Sequence, residues 1–87
     1  MVAYRLLVKA SAAKEIEAID SKADRRRIID KIASLAATPR PHGCEKLAGF
    51  DDRFRIRQGG FRVVYLVDDV RREVAIFKVG NRKDVYR

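Results

Sequence analysis

Apolar and polar residues alternate strictly from Arg53 to Arg57, pause at Gly59-Gly60, and give way to an apolar run from Val63 to Val67. Period-two alternation predicts a strand with Phe54 and Ile56 on one face and Arg53, Arg55 and Arg57 on the other. A Gly-Gly pair between two such runs predicts a β-hairpin. Tyr4 to Lys9 also alternates and predicts a first strand, with Tyr4, Leu6 and Val8 on one side. Val74 to Val79 predicts the last strand, entered through the turn Asp68-Asp69-Val70-Arg71-Arg72 and ended by Gly80.

Between the first strand and the hairpin the period changes. Ser11 suits a helix N-cap, and Ala12 to Ile19 predicts a short helix with Ile16 and Ile19 inward. After Asp20-Ser21-Lys22, Ser21 with Asp24 three residues on resembles a capping box, with Asp in place of Glu or Gln. A second helix follows with Ile28, Ile29, Ile32, Leu35 and Ala36 at helical spacing, stopped by Thr38-Pro39. Residues 39–52 hold Pro39, Pro41, Gly43 and Gly49 and read as a long connection with Leu47 as its one apolar anchor. The predicted order is an N-terminal strand, a two-helix hairpin, then an antiparallel three-strand meander. Helix and strand segregate, so the class is α+β, with the helices packed on one face of a small sheet and residues 1–87 forming one domain.

Charge changes this picture from a scaffold to a surface. The formal net charge is +8 and the pI near 10.2, which points to nucleic acid or another acidic partner. Residues 1–52 carry ten Lys/Arg against eight Asp/Glu, whereas residues 53–87 carry ten against four, so the footprint lies in the C-terminal sheet region. Arg25-Arg26-Arg27 reads most simply as a solvated helix face. The single cysteine, Cys44, excludes an internal disulfide and fits a reducing compartment. No apolar run approaches the roughly 20 residues of a membrane helix, and Met-Val-Ala-Tyr-Arg lacks a signal-peptide core, so no membrane is expected and the location is read as cytoplasmic.

Conventional catalytic sets are missing from the sequence. His42 stands alone in a Pro/Gly-rich loop, Cys44 has no base beside it in sequence, and Ser11, Ser21 and Ser34 read as caps or helix residues. No metal-ligand spacing and no phosphate-binding loop before a helix is seen, so neither metal nor cofactor is expected. What remains is arginine plus tyrosine. Arg55 and Arg57 share one strand face, Arg62 opens the next strand close to them, Arg82 follows the last strand, and Tyr86 lies near the end. Three stacked like charges cost stability unless an anion neutralises them. Arginine grips phosphate through two N–H groups at once and stabilises charge developing on a transferring phosphoryl group. RNA carries its own nucleophile in the 2′-hydroxyl, so cleavage needs positioning and charge stabilisation more than a metal. The same residues equally describe a binding face for RNA or DNA with no chemistry.

Lys46-Leu47-Ala48-Gly49, Phe54-Arg55-Ile56-Arg57, Gly60-Phe61-Arg62-Val63-Val64-Tyr65, and Val79-Gly80-Asn81-Arg82 followed by Val85-Tyr86 together resemble the RelE-type toxins of toxin–antitoxin pairs. The resemblance covers about half the chain by motif and the N-terminal half by topology alone. It implies a ribosome-dependent, metal-independent endoribonuclease that cuts mRNA in the decoding site and so inhibits translation. The 2′-hydroxyl would attack the adjacent phosphate, leaving a 2′,3′-cyclic phosphate and a free 5′-hydroxyl. It assigns the catalytic set to Arg55, Arg57, Arg62, Arg82 and Tyr86; beside that set, Arg53, Lys83 and Arg87 are read as further RNA contacts. The partners implied are a cognate antitoxin protein and the ribosome with its mRNA. The best-known members carry lysine where Arg55 and Arg57 stand, and arginine holds its proton too tightly to donate it. Two other outcomes share the fold: a ParE-type gyrase poison without nuclease chemistry, and a degenerate module that binds antitoxin or RNA without killing.

Overall fold

The computed structural model describes residues 3–81, and Arg82, Lys83, Tyr86 and Arg87 lie outside them. The chain runs β1 (Arg5–Val8), α1 (Ala10–Glu17), α2 (Lys22–Ser34), β2 (Glu45–Lys46), β3 (Arg53–Gln58), β4 (Phe61–Asp68) and β5 (Glu73–Asn81). These strands form one sheet in the order β1-β5-β4-β3-β2. The expected meander is present as β3, β4 and β5, each antiparallel to the next. The N-terminal strand joins it parallel to β5, which makes the sheet mixed. A parallel neighbour needs a crossover, and the helical hairpin supplies it.

The sequence expectations for the first helix need two corrections. Lys9, not Ser11, is the N-cap and makes no side-chain cap, and the helix closes at Glu17 before Ile19. The chain leaves β1 with Lys9 N–H still bonded to Ile76 O at 3.0 Å, so β1's end sets the helix start ahead of the better capping residue. Ile16 and Ile19 are buried as expected. In the second helix Ser21 is the N-cap, and its hydroxyl accepts the Asp24 N–H at 3.2 Å. This helix ends at Ser34 rather than at Pro39; Leu35 to Ala37 form a tightened turn. Ile28, Ile32 and Leu35 are buried, but Ile29 is half exposed, because it lies just off the stripe that meets the sheet.

Phe54 and Ile56 on β3, Val63, Tyr65 and Val67 on β4, and Val74, Ile76 and Val79 on β5 face the helices and form the core with Ala12, Ile16, Ile28, Ile32 and Leu35. Full burial of each aliphatic side chain contributes about 1.5–3 kcal/mol. Val8, which alternation groups with Tyr4 and Leu6, remains 44% exposed on the edge strand β1, while those two pack against the core. The region read as a connection contains β2, which pairs Glu45 with Arg55 and Lys46 with Phe54. A two-residue strand has no periodicity to reveal it. Leu47 anchors this region as expected, partly buried, and Cys44 packs against the core beside it. Gly80 does not end the last strand, which continues to Asn81.

The far end of the sheet is tied by polar contacts. Tyr65 OH donates to Pro39 O at 2.8 Å, and burial pushes its phenol well above the ordinary value. Asp69 accepts from Tyr4 OH at 2.5 Å and from both terminal nitrogens of Arg40 at 2.7 and 3.3 Å. The Arg40 and Tyr4 hydrogen bonds hold the Asp69 carboxyl below its usual range. A lowered carboxylate stabilises the fold above its unfolded pKa and loses that contribution as the pH falls through the folded one. Acidification from about pH 4 should therefore destabilise the wild type more than Asp69→Asn, which has already lost this contribution. Urea midpoints measured at neutral pH and at pH 3 check the difference.

Candidate functional site

The two-residue turn at Gly59-Gly60, with Gly59 in the left-handed region at φ 61°, closes β3 onto β4. It sets Arg57 directly opposite Arg62, Arg55 opposite Val64, and Arg53 opposite Leu66. Directly opposite residues of an antiparallel pair share a face. With Phe54 and Ile56 turned to the core, the arginines line the face away from the helices. Arg62 also has Gly80 as its neighbour on β5, and it is only 9% exposed.

Arg55, Arg57 and Arg62 line one depression of about 230 Å³ together with Gly43 and Glu45. Three of the five catalytic residues expected from the sequence therefore share one site. Arg82 and Tyr86 lie outside the described residues. Gly43 adopts φ 94°, and a side chain there would be strained, so the rim stays bare backbone. Arg57 Nε makes a long contact, 3.4 Å, to Gly59 O at the hairpin turn.

Sequence reasoning missed Glu45. Its carboxylate accepts from Arg55 Nε at 2.9 Å, and it is the acid of the depression. The only signal was an isolated glutamate in a stretch read as a connection. Pairing of β2 with β3 brings it opposite Arg55. The pair is partly solvated, with side-chain exposures of 23% for Arg55 and 61% for Glu45, so it contributes at most about 1 kcal/mol. An anion can displace it.

Arg53 plays a different part. Its guanidinium lies 4.5 Å from the Phe50 ring centre and 4.9 Å from that of Phe77, away from the depression. A larger cavity of about 350 Å³ opens between α1 and the end of β5, where Glu15 and Asp20 face Lys78. Glu15 there accepts from Val79 N–H at 2.8 Å and from Lys78 Nζ at 3.2 Å. Its two acids suit a phosphate poorly, so the smaller arginine site is the better anion site. Of the arginine run on α2, Arg25 donates to Ile19 O at 2.9 Å and Arg27 meets Asp24 at 3.3 Å, while Arg26 is exposed. Two of the three have structural tasks.

A sheet with one face packed under a helical hairpin and the other carrying a cluster of guanidinium groups defines a small basic α+β protein of the RelE fold. Residues 6–86 match the family described as ParE toxin of type II toxin-antitoxin system, parDE, and the chain belongs to that family, within the RelE/ParE superfamily of type II toxins. Among solved structures it resembles the toxin of the archaeal RelE–RelB complex from Pyrococcus horikoshii, with TM-score 0.82 and 28% identity over 92% of this chain and 96% of that one. The toxin of the intact Escherichia coli RelBE complex gives TM-score 0.77 and 31% identity over 91% and 96%. The RelB–RelE complex from Methanococcus jannaschii gives TM-score 0.74 at 20% identity over 92% and 94%, a likeness of fold alone. No curated protein matches the chain in sequence at a significant level.

Because Glu45 is the internal counter-ion of Arg55, a bound polyanion must displace it. Glu45→Gln should therefore bind heparin more tightly, by up to about fivefold, and elute from a heparin column at higher salt. Unchanged or earlier elution would show that the carboxylate does not compete with the anion.

Proposed function

We propose that the chain is a ribosome-dependent mRNA endonuclease acting as the toxin of a type II pair. The observation that carries this reading is the convergence of Arg55, Arg57 and Arg62 on one depression with a carboxylate, Glu45, at its edge. In this reading the guanidinium groups hold the scissile phosphate and stabilise the charge that grows on its non-bridging oxygens. The phosphate displaces Glu45 from Arg55 and frees the carboxylate to accept the proton of the attacking 2′-hydroxyl. The new bond forms between the 2′-oxygen and phosphorus as the bond to the 5′-oxygen breaks, the departing 5′-oxygen takes a proton from water, and a 2′,3′-cyclic phosphate and 5′-hydroxyl result. Glu45 thus takes up proton transfer that arginines at positions 55 and 57 cannot perform. Arg82 follows directly on the strand that sets Gly80 opposite Arg62, and in this reading it adds a further phosphate contact. Tyr86 stacks on a base splayed from the strand.

The RelE relatives from E. coli and P. horikoshii were solved in complexes with their RelB antitoxins, which supports an antitoxin partner here too. Such a partner would be acidic and amphipathic, and would cover the arginine face or pack on the helices. Among the described residues no helix is long and apolar enough to cross a membrane, and the reading requires none.

The family description names ParE, and this favours one second reading, a gyrase poison that binds a protein–DNA complex without cutting RNA. Mapping mRNA 5′ ends after brief induction separates the two. Cuts inside translated codons, with protein synthesis halting first, are expected of the nuclease; DNA damage and filamentation without such cuts would overturn it. Arg62→Ala and Arg82→Ala should each slow cleavage of ribosome-bound mRNA by about 10²–10³.

A further inference from the structure

The face that carries the arginine depression continues along β3 to a second group of side chains that phosphate binding does not use. The register of β4 against β5 shifts between Val64, opposite Lys78, and Tyr65, opposite Ile76, so Phe77 is the extra residue of a β-bulge. Ile76 and Val79 on either side of the bulge are both buried in the core. Phe77 alternates with buried Ile76 onto the open face, and the bulge then returns Val79 to the core; the Phe77 ring centre lies 4.9 Å from the Arg53 guanidinium and 5.7 Å from Lys9 Nζ. The ring centre of Phe50, in the β2–β3 loop, lies 4.5 Å from the same guanidinium. Arg53 thus has two rings against its guanidinium, and its Nε is buried without a hydrogen bond among the described residues. Phe50 itself remains 44% exposed. Asp51, the acid next to it, is engaged by Lys46 at 3.7 Å.

Exposing an aromatic ring costs apolar burial, and immobilising an arginine costs rotamer entropy. Here both are held four residues along one strand from Arg57, about 13 Å away. Aromatic rings and guanidinium planes beside a basic track are the means by which proteins hold single-stranded bases, since every base offers a π-face. We propose that Phe50, with Arg53 and Phe77 behind it, is a base-stacking subsite. It takes a nucleobase of single-stranded RNA flanking the phosphate held by Arg55, Arg57 and Arg62. The inference rests on the RNA reading of that depression and extends it. Lys9 and Arg53 give the subsite the charge that suits an RNA backbone and repels a basic partner. Stacking without hydrogen-bond readout makes it tolerant of base identity, so it anchors the strand rather than selecting a codon.

A short fluorescein-labelled 2′-O-methyl oligoadenylate tests this, because without a 2′-hydroxyl it is bound but not cut. The same oligomer with one abasic position, scanned along its length, serves as the control. Phe50→Ala should weaken binding of the intact oligomer by roughly 5- to 100-fold, and Phe50→Trp should bind like wild type. At one abasic position wild type and Phe50→Ala should become equal. Unchanged affinity for Phe50→Ala, an equal loss at every abasic position, or wild-type protein that fails to bind the intact oligomer would each overturn the proposal. So would Phe50→Ala that binds RNA normally but loses affinity for the antitoxin, since the face would then be a protein-docking surface. Binding is read without cleavage, so absent mRNA cuts with normal stacking would sink only the nuclease reading.

Discussion

Phe54 stands opposite Tyr65 and Ile56 opposite Val63, with Phe54 and Tyr65 rings stacked at 5.8 Å under the helices. A one-residue slip of β3 would send both apolar side chains to solvent and drive Arg55 and Arg57 into the core. Burying unpaired guanidinium groups costs far more than any surface charge could return. The core therefore enforces the register, and the register alone sets Arg57 against Arg62. The outer face is charged because the inner face is packed.

Concentrating guanidinium groups on one face raises the energy of the free protein, and the structure offsets this in two ways. Glu45 supplies a solvated carboxylate to Arg55, and the rings of Phe50 and Phe77 lie against the cation of Arg53. Both devices are reversible at low cost, unlike a buried ion pair, whose disruption is strongly unfavourable. A face built this way is poised to exchange its own counter-ions for those of a ligand. That electrostatic character suits an anionic ligand.

Much of this was legible in the residues. Strict alternation from Arg53 to Arg57, the Gly59-Gly60 turn and the Ser21 cap each rest on local chemistry, and each appears where the pattern places it. Arg55, Arg57 and Arg62 could be assembled because a two-residue turn makes their pairing local as well. Glu45 could not. Its partner is ten residues away across a loop whose path depends on Leu47 and Cys44 finding the core. Ile29 fits helical spacing yet is exposed, since spacing defines a stripe but not how wide a stripe the neighbouring sheet covers.

The sequence by itself determined the segregation of helices from the meander, the two-faced β3 and the excess of positive charge near it. These follow from periodicity and composition, which act over a few residues. Only the tertiary structure decided that β1 lies parallel beside β5, that β2 brings a carboxylate to the arginines, and that Phe50 and Phe77 meet at Arg53. Those outcomes depend on which distant strands pair and in what register. That choice is made by the fit of the whole core, which no local pattern contains.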